Sequence, residues 1–563
     1  MADDHADPRF RPIIYVRGFA GSEDEIDDTV ADPYMGFNLG ATKFRQDHGG
    51  AVRRHYFESP LIRLIKDFEY RDVYSDGAYM PLDERVPDRP IVIYRYYDSQ
   101  FFDQLDDDDE LPQIRPKQRK DEDEVLGKRR DIEDFAAGLG KLILRLRTRY
   151  LDSKAPQALK DDFKVHLVGH SMGGLIIRSF LQHVGQGGKA VRDRFSTGGE
   201  KQLKEAKSLV DRVFTYATPH NGIEFSILGN VPSFFTAGDV DNFNRKRMAQ
   251  YLGLAGWSVN QGLVNNLRGR FPADRFFTLI GTNHEDYAVL YGWSRRLVGP
   301  MSDGLVRVKN AGLHSRPTAN SKTEHAPRAF VHRSHSGHYG IVNSEEGYQN
   351  LARFLFGDVR VDCKLDVEKI TLPIPVQEEK DAGRQIRASY HVECAVAARG
   401  ISTELHRRQV ADGSAVFRTY DELVGNNNVK KRMPTLFSLF LRSAAQVSDD
   451  DPGLGFVVTL AVKIPEYVVD RTLWFDRHFE GDNLLEETIH IVARPPDPDA
   501  TTPRKDWTVD YGFARLEEQH GVPNETATLK HKAGTISFTI PLDSTHRRPG
   551  LKGKLIFTAR NHE

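Results

Sequence analysis

Residues 164–180 constrain this chain most, because they demand a buried strand, a sharp turn and a helix in quick succession. A strand-like run at residues 163–168 is followed by Gly169-His170-Ser171-Met172-Gly173 and then by a stretch with the pattern of an amphipathic helix. A G-x-S-x-G pattern between a strand and a helix is typical of a strained turn that exposes the serine hydroxyl. Glycines on either side let neighbouring backbone pass close to such a turn. We therefore predict that Ser171 is a nucleophile.

Two further motifs lie downstream, ATPHNG at residues 217–222 and SDGLV at residues 302–306. Together with GHSMGG at 169–174, they resemble the lipase and esterase branch of the α/β-hydrolase superfamily, over about residues 10–357. The resemblance implies a mostly parallel sheet with helices on both faces. It also implies a Ser-His-Asp triad that cleaves carboxylic esters through an acyl-enzyme, without a cofactor. No motif extends the resemblance beyond residue 357.

The spacing of apolar residues supports the same fold class. Short apolar runs predict strands at 13–16, 91–94, 163–168, 210–216 and 276–280, and helical periodicity predicts helices at 131–150 and 345–356. Strands that alternate with helices indicate a parallel α/β sheet covered on both sides. After residue 357, short strand-like segments between Pro, Gly, Asn and Asp clusters favour an all-β sandwich-like domain. We therefore expect a catalytic domain at 1–357 and a β-rich accessory domain at 358–563.

Three segments of the first domain are predicted to be additions to the basic sheet. They are an insertion at about 22–90, a charged loop at about 103–130 and a cap at about 223–271. The cap segment carries Phe225, Phe234 and Phe235, which are candidates to line an apolar acyl pocket. The alternative is that its apolar residues form an ordinary core.

The triad acid and base come after the serine in the chain order of α/β-hydrolases. In the resembled families an Asp-Gly-x-Val segment carries the acid, and Asp303 is the matching residue; Asp286 and Glu285 are rivals. Three histidines qualify as the base, His332, His335 and His338. We favour His338, because an apolar pair follows it as in the resembled families, and keep His335 as the alternative.

The oxyanion hole of such a site needs two backbone N–H donors. One is expected from Met172, the residue after the nucleophile, and the other from Phe19 in the loop after the first strand. Related lipases usually carry His-Gly at the start of that loop, where this chain has Arg17-Gly18. Arg17 is therefore expected either to form a structural ion pair or to bind an acidic group of the substrate.

The composition limits partners and location. Lys and Arg number 78 against 80 Asp and Glu, so the formal net charge is -2 and nucleic acid is not expected as a partner. Only two cysteines are present, Cys363 and Cys394, which excludes a disulfide framework or a cysteine-based zinc site. The polar N-terminus and the lack of a long apolar run favour a cytoplasmic location. No metal site is expected.

These observations leave several functions open. The leading hypothesis is a serine esterase, lipase or phospholipase acting on a small-molecule or lipid ester. An antibacterial or defence effector that attacks membrane lipid and a non-catalytic binding scaffold are the alternatives. The triad type does not distinguish ester from amide or thioester substrates. Acyl-chain length, oligomeric state and the role of the β-rich domain, including peripheral membrane contact, also stay open.

Overall fold

The structure is a computed structural model of the whole chain. It describes residues 7–18, 41–46, 52–57, 59–73, 86–96, 131–187, 199–223, 242–254, 263–285, 301–337, 340–424, 432–445, 452–470, 477–496, 505–514 and 525–562. Two compact units are present. The first comprises Met1–Arg328 and Arg333–Leu351, and the second comprises Ala329–His332 and Ala352–Glu563.

A seven-stranded sheet organises the part of the chain before residue 352. The strands of this part of the chain are β1 Ile13–Val16, β2 Ala41–Gln46, β3 Val52–Phe57, β4 Arg71–Asp72, β5 Pro90–Tyr94, β6 Val165–His170, β7 Val210–Tyr216, β8 Phe276–Gly281, β9 His314–Ser315, β10 Glu324–His325 and β11 Arg328–Val331. The order across the sheet is β11-β8-β7-β6-β1-β5-β4. The pairings from β4 through β5, β1, β6 and β7 to β8 are all parallel. Separately, β2 pairs with β3 and β9 pairs with β10, both antiparallel.

Eight helices accompany these strands in the described part of the chain: α1 Pro60–Phe68, α2 Ile132–Leu151, α3 Gln157–Asp161, α4 Met172–Gln182, α5 Gly199–Ser208, α6 Arg245–Tyr251, α7 Val308–Ala311 and α8 Glu345–Phe356. Helix α2 begins at a reciprocal capping box. The Asp131 carboxylate accepts from the Asp134 N–H, and the Asp134 carboxylate accepts from the Asp131 N–H. Such a box satisfies two of the N–H groups that a helix start leaves without partners.

Helices cover both faces of the sheet. On one face, Ile14 of β1 shares an apolar core with Leu139 of α2 and Leu175 of α4. On the other face, the Tyr216 hydroxyl of β7 donates to the Gly347 carbonyl of α8 at 3.4 Å. The predicted parallel α/β sheet with helices on both sides is therefore confirmed.

The second unit consists of antiparallel sheets. Its strands are β12 Val359–Thr371, β13 Ile386–Ala398, β14 His406–Arg408, β15 Val416–Thr419, β16 Thr435–Leu441, β17 Leu454–Lys463, β18 Glu466–Val469, β19 Arg477–Glu480, β20 Asn483–Arg494, β21 Thr508–Phe513, β22 Glu525–Thr526, β23 Lys530–Lys532, β24 Thr535–Asp543 and β25 Gly550–Asn561, with α9 Ile374–Asp381 and α10 Tyr420–Val424. Five strands run in the order β16-β12-β25-β24-β23. A nine-stranded sheet follows the path β19-β18-β13-β17-β20-β21-β22, with β14 and β15 also paired to β13. Residues of both sheets form one apolar core, as expected for a β-sandwich.

The predicted additions are only partly described. The segment 22–90 contributes the β2–β3 hairpin, α1 and β4. Within 223–271, Met248, Tyr251 and Leu254 are buried in the core of the first unit, so this part of the segment is ordinary core. The charged loop at 103–130 and Phe225, Phe234 and Phe235 lie outside the described residues. Within the described chain, no helix is long and apolar enough to cross a bilayer, and both Cys363 and Cys394 are buried free thiols.

Candidate active site

Ser171 stands at the junction between β6 and α4 in a strained backbone conformation. Its φ is 52° and its ψ is -121°, a region that residues with a side chain rarely adopt. The Ser171 N–H donates to the Tyr216 carbonyl of β7 at 3.0 Å, which anchors the turn to the neighbouring strand. The local geometry is the strand-turn-helix that the G-x-S-x-G pattern predicts.

The glycines around Ser171 are required by close backbone approach. A Cβ on Gly173 would lie 2.2 Å from the Val16 carbonyl oxygen of β1, and one on Gly174 would lie 2.2 Å from the Thr218 Oγ1 atom. On Gly169, a Cβ would lie 2.8 Å from the Gly174 nitrogen. Real Cβ atoms essentially never approach other atoms so closely, so any larger residue at these positions would force neighbouring atoms to shift.

A continuous hydrogen-bonded chain runs from Ser171 through His335 to Asp303. The His335 Nε2 atom lies 3.0 Å from Ser171 Oγ, and its Nδ1 atom lies 2.9 Å from Asp303 Oδ2. All three residues are buried. Because a carboxylate only accepts hydrogen bonds, Nδ1 carries the hydrogen and Nε2 is left to accept from the serine hydroxyl. This is the arrangement in which a histidine can remove the proton of a serine.

The turn that follows Asp303 fixes its carboxylate. The Oδ1 atom accepts the N–H groups of Leu305 at 3.0 Å and Val306 at 2.7 Å, which leaves Oδ2 to His335. Gly304 has a φ of +99°, which a glycine adopts without strain. The end of β8 leaves room for the acid, since a Cβ on Gly281 would lie 2.8 Å from the Asp303 Cβ. The structure thus places Asp303 where the sequence predicts the acid.

Of the three candidate histidines, the structure brings His335 to Ser171. His335, which the sequence leaves as the alternative base, contacts both Ser171 and Asp303, and the favoured His338 lies outside the described residues. The His335 N–H donates to the Asp303 carbonyl at 2.9 Å and so holds residue 335 beside Asp303. His332 is engaged elsewhere in the second unit, where its Nδ1 atom lies 3.1 Å from Asp412 Oδ1.

The remaining predicted site residues are described in part. Met172 is the first residue of α4, so its N–H has no acceptor within the helix and is available to a ligand. Phe19 and Asp286 lie outside the described residues, and Glu285 is exposed. The loop after β1 is held by Tyr96, whose hydroxyl lies 3.0 Å from the Arg17 carbonyl and 2.9 Å from the Gly18 carbonyl.

The ATPHNG motif contacts helix α4, which follows Ser171. His220 is fully buried and its Nε2 atom lies 3.1 Å from Thr215 Oγ1; burial holds its pKa well below the ordinary value. The His220 carbonyl accepts from Arg178 of α4 at 2.8 Å. Arg178 is itself fully buried, and desolvation lowers its pKa to about 9. Sequence patterns do not predict this buried guanidinium, although its place directly after the apolar run Leu175-Ile176-Ile177 is a signal.

Among the residues that the structure describes, no group of three or more His, Cys, Asp or Glu side chains is arranged to hold a metal ion.

Comparisons with known proteins give no family assignment. No protein-family model matches the sequence, and no curated protein matches it. Among solved structures, the lipase BlEst2 of Bacillus licheniformis in mature form is 16% identical, with 62% of this chain and 93% of that chain covered and a TM-score of 0.27. Its propeptide form is 12% identical, with 86% and 95% covered and a TM-score of 0.29. The phospholipase PlaB of Legionella pneumophila, in complex with thio-NAD, is 12% identical, with 84% and 89% covered and a TM-score of 0.28. All three TM-scores are below 0.3.

Proposed function

We propose that this protein is a serine hydrolase of the α/β-hydrolase type that cleaves carboxylic esters with a lipid-like acyl group. One observation carries the proposal, the hydrogen-bonded chain Ser171–His335–Asp303 at a strained strand-helix turn. An activated nucleophile typically shows this arrangement, in which the hydroxyl is hydrogen-bonded to an imidazole and a carboxylate orients the imidazole.

The residues have distinct roles in the proposed reaction. Ser171 Oγ attacks the ester carbonyl while His335 Nε2 takes the hydroxyl proton, and Asp303 stabilises the imidazolium that forms. The negatively charged oxygen of the former carbonyl accepts hydrogen bonds from the Met172 N–H and from a second N–H, proposed to be that of Phe19. His335 then returns the proton to the departing alcohol. A water molecule, deprotonated by His335, then attacks the acyl-enzyme, and the carboxylic acid is released as Ser171 recovers its proton.

The lipid-like acyl group rests on the resemblance of GHSMGG and SDGLV to lipase motifs. The chemistry of the triad is the same for short and long acyl chains, so the chain length has to be measured. Fold alone does not determine which bond is cleaved.

The test is hydrolysis of aryl esters from acetate to palmitate by the purified full chain. Ser171→Ala should abolish turnover of every ester. The matched control is Ser208→Ala, at the end of α5, where the lost hydroxyl donates only to the Glu205 carbonyl, and this variant should keep full activity. The chain length with the highest kcat/KM then separates an esterase from a lipase.

Two results would contradict the proposal. Turnover that survives Ser171→Ala would show that another group carries the reaction. No turnover of any ester, with or without added lipid vesicles, would favour the binding-scaffold alternative over an enzyme.

A further inference from the structure

His170, the residue immediately before the nucleophile, contacts the proposed base. Its Nε2 atom lies 3.1 Å from the backbone carbonyl oxygen of His335, although 165 residues separate the two in sequence. The two imidazole rings also pack against each other, with centroids 5.1 Å apart and planes tilted by 42°. The triad as described above does not use this side chain.

The contact completes the fixation of residue 335. Its N–H donates to the Asp303 carbonyl at 2.9 Å, and its carbonyl oxygen accepts from His170. Its two ring nitrogens contact Asp303 and Ser171. The backbone of His335 is thus held through its N–H by Asp303 and through its carbonyl by His170.

His170 has the properties that a fixed hydrogen-bond donor needs. Because its Nε2 atom faces a carbonyl oxygen, that nitrogen must carry the hydrogen. Burial, together with the smaller effect of the neighbouring His335, lowers the pKa of His170 to about 3. The ring therefore stays neutral beside an imidazolium on His335 and places no second positive charge in the site.

The space for this ring depends on the loop after β1. A Cβ on Gly18 would lie 3.1 Å from His170 Nδ1 and 2.9 Å from Ser171 Cβ. Glycine at position 18 thus lets the loop pass directly over both the nucleophile and the residue before it.

We propose that His170 is a positioning residue, which fixes the backbone of His335 so that its Nε2 atom stays aligned with Ser171. The inference rests on the proposed function and deepens it, because it assigns a role to the second residue of the motif. His170 does not exchange a proton in the reaction and contacts no reacting atom; it acts through His335.

The experiment compares three substitutions at position 170 with a matched control. His170→Gln retains an amide that can donate from nearly the same place as Nε2, whereas His170→Asn is too short and His170→Leu has no donor. The control is His166→Leu, because His166 lies on the same strand, is fully buried and likewise places Nε2 3.0 Å from a backbone carbonyl, that of Arg9. Thermal unfolding is measured for each variant to establish that it is folded.

We expect His170→Leu and His170→Asn to lower kcat by about 10- to 100-fold with little change in KM, because small displacements of a catalytic group have effects of this size. The rate of fluorophosphonate labelling of Ser171 should fall by the same factor, since labelling needs the same base. His170→Gln should recover most of both rates. His166→Leu should lose stability but retain kcat.

The proposal is overturned if His170→Asn and His170→Leu keep the wild-type kcat. It is equally overturned if His166→Leu lowers kcat as much as they do, or if His170→Gln is as impaired as His170→Asn, because the effect would then come from general destabilisation. A wild-type protein that neither hydrolyses esters nor reacts with the fluorophosphonate is a different result. It would defeat the proposed function first, and this inference with it.

Discussion

His335 Nε2 lies 3.0 Å from Ser171 Oγ, although the two residues are 164 positions apart in the chain. The parallel sheet produces this contact, because the carboxyl ends of parallel strands meet at one edge and the loops that follow them converge. Ser171 follows β6, and both Asp303 and His335 come from segments beyond β8. The proposed chemistry depends on this convergence rather than on any single motif.

Asp303→Asn should leave the fold intact and abolish most turnover. The Asn Oδ1 atom can still accept from Leu305 and Val306, but its amide would donate to His335 Nδ1. That forces the hydrogen onto Nε2, which can then no longer accept the Ser171 proton. We expect kcat to fall by about 10⁴-fold, as for the same change in other triads.

Steady-state kinetics test this prediction, with Asp211→Asn as the control. Asp211 is another largely buried carboxylate of the first unit, paired with Arg11 at 3.3 Å, and its loss should reduce stability without lowering kcat. An Asp303→Asn enzyme with near wild-type kcat would remove Asp303 from the triad.

Gly173→Ala should destabilise the protein strongly. The new Cβ would meet the Val16 carbonyl oxygen at 2.2 Å, and backbone in a packed sheet cannot move away cheaply. Overpacking of this kind costs about 3 kcal/mol or more in the free energy of unfolding, which denaturant unfolding measures. Gly455→Ala is the control, since its Cβ would lie 3.6 Å from the nearest atom and should change stability by less than about 0.5 kcal/mol. Equal stabilities for the two variants would contradict the described packing.

Tyr96→Phe should lower kcat through the loop after β1. The lost hydroxyl contacts the Arg17 and Gly18 carbonyls, which directly precede the residue proposed as the second oxyanion donor. We expect kcat to fall about tenfold, because misplacing an aligned donor weakens stabilisation of the transition state. Tyr94→Phe is the matched control, as its hydroxyl donates to the Phe135 carbonyl at 2.7 Å. Equal kcat values for Tyr96→Phe and Tyr94→Phe would contradict a role of the Tyr96 hydroxyl in positioning this loop for catalysis.

The stability of the first unit should fall between pH 6.5 and pH 4, in part through His166. Burial lowers its pKa from an ordinary 6.5 to about 4, so the unfolded chain binds the proton more readily than the folded one. The contribution of neutral His166 is therefore fully present above pH 6.5 and is lost as the pH falls toward 4. With about 1.4 kcal/mol per pKa unit, the loss should approach about 3 kcal/mol.

Denaturant unfolding at pH 7 and at pH 5 measures how much the free energy of unfolding changes between the two pH values. His166→Gln, which cannot take up a proton, should show a smaller loss of stability between the two pH values than the wild type. An equal change in the free energy of unfolding for His166→Gln and the wild type would mean that His166 takes up no proton on unfolding in this pH range.

Much of the sheet can be predicted from apolar runs. The strands at 13–16 and 210–216 have the predicted bounds. Short runs rich in β-branched and aromatic residues are typical of central parallel strands, because such strands are buried on both faces. Ser171 and Asp303 are predicted from local patterns, the glycines around Ser171 and the Asp-Gly pair at 303–304, and the structure joins both residues to His335.

The choice of base is different, because it depends on contacts between distant segments. His335 and His338 are three positions apart in the sequence, and nothing in this spacing shows which of them contacts Ser171. Residue 335 is held by the hydrogen bond from its N–H to the Asp303 carbonyl, and the neighbouring Ser334 pairs with Gly340. The His170–His335 contact cannot be predicted from the sequence for the same reason, because 165 positions separate the two residues.

The most direct test of the account is labelling of the wild-type protein, Ser171→Ala, His335→Ala and His338→Ala with a fluorophosphonate, with the labelled residue located by mass spectrometry. The account predicts that Ser171 alone is labelled, and that His338→Ala reacts at close to the wild-type rate. His335→Ala should react slower by about 10³-fold or more, because the serine has lost its base. Label on another serine, or a rate lost in His338→Ala and kept in His335→Ala, would contradict it.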